Sequence, residues 1–131
     1  MLTISELQHI AQERFKECEV LFGANRYDGA MYLCGYAVEV TLKARICQTL
    51  DWSGYPSTRK EFQNYQSFRT HNLEVLLTLS GIENKIKASF LSDWSVVADW
   101  NPEMRYRPIG HVSQADTKSM IDSARTLLGV L

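Results

Sequence analysis

The sequence predicts an all-α protein, an antiparallel up-and-down bundle of four main helices plus one or two short ones, forming a single domain over residues 1–131. Three observations carry that reading. Apolar residues recur at steps of three and four along most of the chain. No segment competes with the two-residue alternation of a strand. Capping residues stand where the apolar runs begin.

The first helix has a defined start. Thr3 followed by Glu6 makes a capping box, and Leu2 with Leu7 stand at the positions of a hydrophobic staple. Leu7, Ile10, Ala11, Phe15, Cys18 and Phe22 then share one face. Asn25 to Asp28 reads as a turn, with Asp28 as the cap of the next helix. That second helix, about Gly29 to Leu50, is apolar nearly all round and belongs at the centre of the bundle. Gly35 within it costs roughly 1 kcal/mol relative to Ala, which points to a close helix approach at that position.

Asp51 to Phe68 is rich in turn residues, with a short helix expected from Thr58, where Glu61 completes a second capping box. Asn72 to Leu79 supports two helical turns ended by Ser80-Gly81. A longer helix runs from about Glu83 to Trp100, with Ile86, Phe90, Trp94 and Val97 inward, and Asn101-Pro102 stops it. The last helix starts near Ser113, takes Asp116 as its capping-box partner, and carries Met120, Ile121, Ala124, Leu127, Leu128 and Leu131.

Basic residues number 14 and acidic ones 15, for a net charge of −1, so no global positive field holds nucleic acid and any anion site must be a local cluster. Cys18, Cys34 and Cys47 fall in helical, apolar segments without a C-x-x-C pair, which fits reduced thiols in a cytoplasmic setting. The N-terminus lacks the pattern of a signal peptide. Glu39, Lys43 and Arg45 interrupt the longest apolar stretch, so no membrane span is expected. The His and Cys spacing fits no zinc motif, no Gly-rich phosphate loop is present, and neither metal nor cofactor is expected.

Two places carry candidate chemistry. Tyr32, Tyr36, Glu39 and Lys43 are spaced four, three and four along the central helix and form one narrow stripe. Its plainest reading is an exposed Glu39–Lys43 ion pair contributing about 0.3–0.5 kcal/mol. Its functional reading is that Lys43, Tyr36 and Glu39 line a nucleotide or phosphate site. The second place is the connector from Asn101 to His111, which brings Arg105, Arg107 and His111 together just before a helix N-terminus. Guanidinium groups fork onto phosphate oxygens, and Tyr106 can stack on a base. The alternative is an ordinary solvated connector with Arg105 paired to Glu103. Arg105 and His111, with five residues between them, also supply the types needed for metal-free RNA cleavage, a transition-state cation and a general base or acid. His71, in Arg69-Thr-His-Asn72, reads as a residue at the start of a helix.

Three segments together resemble a known family. Tyr27-Asp-Gly-Ala-Met-Tyr-Leu-Cys-Gly-Tyr-Ala-Val-Glu-Val-Thr-Leu-Lys-Ala44 is similar to the central-helix signature of HEPN domains, the higher eukaryote and prokaryote nucleotide-binding family. Thr70-His-Asn-Leu-Glu-Val-Leu-Leu77 resembles the start of that family's third helix. Met104-Arg-Tyr-Arg-Pro108 resembles its Arg-Tyr-Pro loop before the last helix, with one residue inserted before the proline. The resemblance spans roughly residues 5 to 128. It implies a helical bundle that dimerises, with the two copies of the connector close together.

The resemblance also implies two functional branches. One is ribonucleases, often toxins, carrying an Arg followed by a His at the spacing of Arg105 and His111. The other is nucleotide- or RNA-binding modules, often encoded beside a small nucleotidyltransferase. Here Tyr106 replaces the polar neighbour usual in the nucleases, and Pro108 and Gly110 interrupt the segment. The leading expectation is therefore a homodimeric nucleotide- or RNA-phosphate-binding module, one component of a toxin–antitoxin-like pair with a nucleotidyltransferase. Arg105 and Arg107 would clamp phosphate, Tyr106 would support a base, and Lys43, Glu39 and Tyr36 would line the same cleft. A metal-independent endoribonuclease using Arg105 and His111 across the dimer is the runner-up. A protein-interaction adaptor presenting Tyr32 and Tyr36 is the third.

Overall fold

A computed structural model describes the whole chain, residues 1–131. The fold is all-α. Its helices are α1 (Ile4–Gly23), α2 (Tyr27–Leu50), α3 (Leu73–Ser80), α4 (Glu83–Ser89), α5 (Leu91–Val97) and α6 (Gln114–Leu128). Single 3₁₀ turns occupy Glu61–Asn64, Gln66–Phe68 and Pro102–Tyr106.

The capping box at the start of α1 forms in full: Glu6 N–H donates to Thr3 Oγ1, and Thr3 N–H donates to the Glu6 carboxylate. Ahead of it, two short extended pieces, β1 (Leu2–Thr3) and β2 (Gly54–Tyr55), pair antiparallel. That ladder was not expected. It joins residues far apart in sequence and is too short to leave a two-residue period.

A tight turn containing Asn25 in the left-handed region returns the chain into α2, so α1 and α2 pack as a hairpin. Asp28 does not cap α2. Arg26 holds the cap position, and Asp28 in the first turn instead accepts a hydrogen bond from the Gly110 N–H, 2.9 Å away. α2 touches α1, α3 and α6 and is buried on most of its circumference, as its composition requires. The thiol of Cys34 on α2 donates to the Met120 carbonyl on α6, and all three cysteines are buried and free.

The capping box expected at Thr58 forms only in part: Thr58 Oγ1 accepts from the Glu61 N–H and donates to the Glu61 carboxylate, and the segment that follows is a 3₁₀ turn with Lys60 at its cap position rather than an α-helix. α3 runs as expected, from an Asn72 cap to Gly81 in the left-handed conformation. The long helix expected from Glu83 to Trp100 is broken at Phe90 into α4 and α5 and ends at Val97. No Pro or Gly marks that break. Ile86 and Trp94 on either side are both fully buried, and the Trp94 indole N–H donates to Glu74 on α3. α6 begins at a Ser113 cap that accepts from the Asp116 N–H, without the reciprocal half of a box.

Gly35 makes its close approach to an indole ring rather than to a helix. A Cβ placed there would sit 2.2 Å from three ring atoms of Trp100. Trp100, just beyond α5, thereby seats the start of the connector against α2. The Gly35→Ala variant gains at most about 1 kcal/mol of helix propensity but must displace the indole, an overpacking cost of about 1–3 kcal/mol. Urea denaturation followed by tryptophan fluorescence should show net destabilisation, substantially relieved when Trp100→Leu is added to the same chain.

Candidate functional site

α2 carries the Glu39 carboxylate into the interior, where the residue is 1% exposed. An unpaired carboxylate in that position is costly, because desolvation of an ion is worth several kcal/mol. Two partners meet it. Lys43, one turn along, places Nζ 3.0 Å from Oε2. His71, on the segment that leads into α3, places Nδ1 3.1 Å from both oxygens. A carboxylate only accepts, so Nδ1 carries the ring proton and Nε2 is left free of any protein partner.

The expectation of an ion pair on an exposed helix face is corrected here. Glu39 is buried, the Lys43 side chain is 16% exposed, and the third member comes from 32 residues further along the chain. His71 is accordingly more than a residue at the start of a helix. Its signal in the sequence was indirect: a Glu on an otherwise apolar central helix needs a counter-charge beyond its own helix.

Toward the N-terminal end of the same stripe the Tyr36 and Tyr32 rings lie parallel, 6.5 Å apart. Burial, followed by the neighbouring Glu39 charge, pushes the Tyr36 phenol above its ordinary pKa and keeps it neutral. Arg105 reaches this end from the connector, with Nη1 3.4 Å from the Tyr32 hydroxyl. Its guanidinium also lies 4.9 Å from the centre of the Tyr106 ring, which is 72% exposed. Neither Arg105 nor Arg107 forms an ion pair with any carboxylate, Glu103 included. Asn101, whose Oδ1 accepts from the Glu103 N–H, and the Asp28–Gly110 bond fix the two ends of the connector.

The residues selected from the sequence do not share one cleft. Arg107 and His111 line a cavity of about 370 Å³ together with Asp99 and Asp116, and Arg105 is outside it. Lys43 lines a second cavity of about 260 Å³ with Tyr55, Arg69 and His71. The two have no lining residue in common. The expected joint cleft of Arg105, Arg107, Lys43 and Glu39 is thus divided, because Arg105 meets Tyr32 of α2 and its own neighbour Tyr106 while Lys43 turns toward Tyr55. A further cavity, about 550 Å³, lies between α1, α2 and the end of α6, where Arg125 is already paired with Glu19.

No helix is long and apolar enough to cross a membrane. Comparison of the chain with protein-family models, with curated proteins and with solved structures found no match in any of the three.

Removing the buried negative charge tests how far the local structure leans on it. Glu39→Gln leaves Lys43 without its counter-ion in a largely desolvated place, which should cost roughly 3 kcal/mol, the lower end for breaking a buried pair, since Lys43 keeps some exposure. Urea midpoints of wild type and variant, with matched m-values, give the measurement.

Proposed function

We propose that the chain is a HEPN-type module that binds nucleotide or RNA phosphate through the connector between α5 and α6, acting as a homodimer beside a nucleotidyltransferase partner. In this reading the bundle consists of four antiparallel helices: α1, α2, α4 with α5 as one kinked helix, and α6. The observation that supports it is the pairing of an exposed aromatic ring with cations free of carboxylates on one short segment. Tyr106 offers a face for a base, and Arg105, bonded to a hydroxyl and lying against a ring rather than paired with an acid, keeps donors for phosphate oxygens; Arg107 is on the same segment but shares its cavity with Asp99 and Asp116. Ile109, 90% exposed on the same segment, supplies apolar surface where a second copy of the connector would meet the first.

Glu39, Lys43 and Tyr36 are not assigned to this phosphate, since Lys43 and Arg107 belong to different cavities. The endoribonuclease reading draws support from one observation, the shared cavity of Arg107 and His111. Asp99 and Asp116 in that cavity oppose a phosphate, and Arg105 does not line it, so binding is the better-supported activity.

Labelled single-stranded RNA in chelator, with wild type, Arg105→Ala, Tyr106→Ala and His111→Ala, tests the proposal. Binding without cleavage is expected, weakening with salt and by about tenfold in Tyr106→Ala, the scale of one lost base stack. Arg105→Ala should weaken it similarly, and His111→Ala should bind like wild type. Cleavage abolished by both Arg105→Ala and His111→Ala would replace this reading with the nuclease. The absence of any RNA or nucleotide binding would leave the adaptor.

A further inference from the structure

We propose that the cavity above the Glu39–His71 pair is a binding site for a phosphate group, free or at the end of a larger molecule, distinct from the connector face and independent of the reading given for it. The lining carries the argument. Its lining includes the basic side chains Lys43, Arg69 and His71 and the hydroxyls of Ser57, which donates to Glu61, and Thr70, and no carboxylate lines it. Arg69 is exposed and has no ion-pair partner, so its forked donors are available.

Glu39 stands behind this group rather than in the cavity. With its charge included, the cluster carries one net positive charge when the imidazole is neutral and two when it is protonated, a match for a phosphate monoanion or dianion. Glu39 also fixes the geometry. It holds Lys43 Nζ, which lies 5.4 Å over the Tyr55 ring, and it accepts from His71 Nδ1–H, so Nε2 is the nitrogen left for a ligand, accepting from a phosphate O–H when the ring is neutral and donating to a phosphate oxygen when it is protonated. The His71 side chain is 64% exposed while its anchoring carboxylate is buried. The cavity wall is itself pinned, because the Tyr55 hydroxyl donates to the Phe68 carbonyl. Sites held in this way lose little on binding.

Stability alone gives no reason for the arrangement. A buried ion pair is on average no better than apolar side chains of the same volume. Here the pair sits on a helix buried on most of its circumference and aims its basic members at a concavity. A volume of about 260 Å³ limits what can enter: it falls below the range of about 300–1,000 Å³ usual for drug-sized ligands. Phosphate and the first carbons attached to it fit that space, with the remainder of a larger molecule outside.

The experiment follows the His71 ring resonances of the full chain by NMR at constant ionic strength. The probes are inorganic phosphate, a 5′-phosphorylated RNA trinucleotide and the same trinucleotide with a 5′-hydroxyl. Saturable shifts at His71 with inorganic phosphate are expected, weakened about tenfold in Arg69→Ala by loss of a charge-assisted contact and changed less than about twofold in Arg105→Ala. Arg69 is exposed and unpaired, so that variant is expected to fold, and its unperturbed amide spectrum serves as the check. A shift with the 5′-phosphorylated trinucleotide and not with the hydroxyl form would support the proposal with an RNA end as ligand. A shift with inorganic phosphate alone would support it with a free small phosphate. No saturable shift at His71, equal shifts with both trinucleotides, or phosphate binding indifferent to Arg69→Ala would overturn it. Loss of RNA binding at the connector with phosphate binding intact would sink the connector reading alone.

Discussion

A carboxylate that enters an apolar interior on a helix must bring its counter-charges with it, and the consequences of that rule for Glu39 organise one whole side of this molecule. Lys43 is supplied by the same helix, one turn on. His71 must come from elsewhere, so the segment leading into α3 is drawn across α2 at that level. Once those two groups are committed, the remaining donors of Lys43 and the Nε2 atom of His71 face the concavity closed by Tyr55 and Arg69. The charge is costly to bury, yet it gives the cluster a fixed geometry that solvated side chains would lack.

The opposite end of α2 is organised by shape instead of charge. The missing side chain of Gly35 makes room for the Trp100 indole, whose ring also packs 6.1 Å from that of Tyr32. The fit comes with a cost, because the buried Trp100 Nε1 has no hydrogen-bond partner, a penalty of about 1–3 kcal/mol. It is offset by the burial of a large aromatic surface. With Trp100 seated and Gly110 tied to Asp28, the residues between them are held over the Tyr32 end of the helix. That is why Arg105 meets Tyr32, and why the polar stripe of α2 runs from the connector at one end to the basic cavity at the other.

Much of the fold was legible because it is written in local signals. The capping box of Thr3 and Glu6, the all-round apolar character of α2, and the Asn72 and Gly81 boundaries of α3 each depend on neighbours within a few residues. What escaped was long-range. The break at Phe90 has no Pro or Gly to announce it. The Leu2–Thr3 ladder joins the chain start to residues beyond α2. Asp28 looked like a cap because its type and position suit one, but its carboxylate is used by Gly110. At the site, residue types were read correctly as polar and basic while their grouping was not. Helical spacing placed Tyr36, Glu39 and Lys43 in one line, but could not reveal that Glu39 faces inward and meets His71. Sequence proximity suggested Arg105 with His111, whereas the extended backbone beyond the 3₁₀ turn gives His111 to Arg107.

The measurement that bears most directly on this account is the tautomeric state of His71, read by long-range ¹H–¹⁵N correlation at a pH where the ring is neutral. The Glu39–His71 contact requires a proton on Nδ1, donated to Glu39, with Nε2 unprotonated. A ring protonated on Nε2 alone, with the spectrum unchanged in Glu39→Gln, would contradict it.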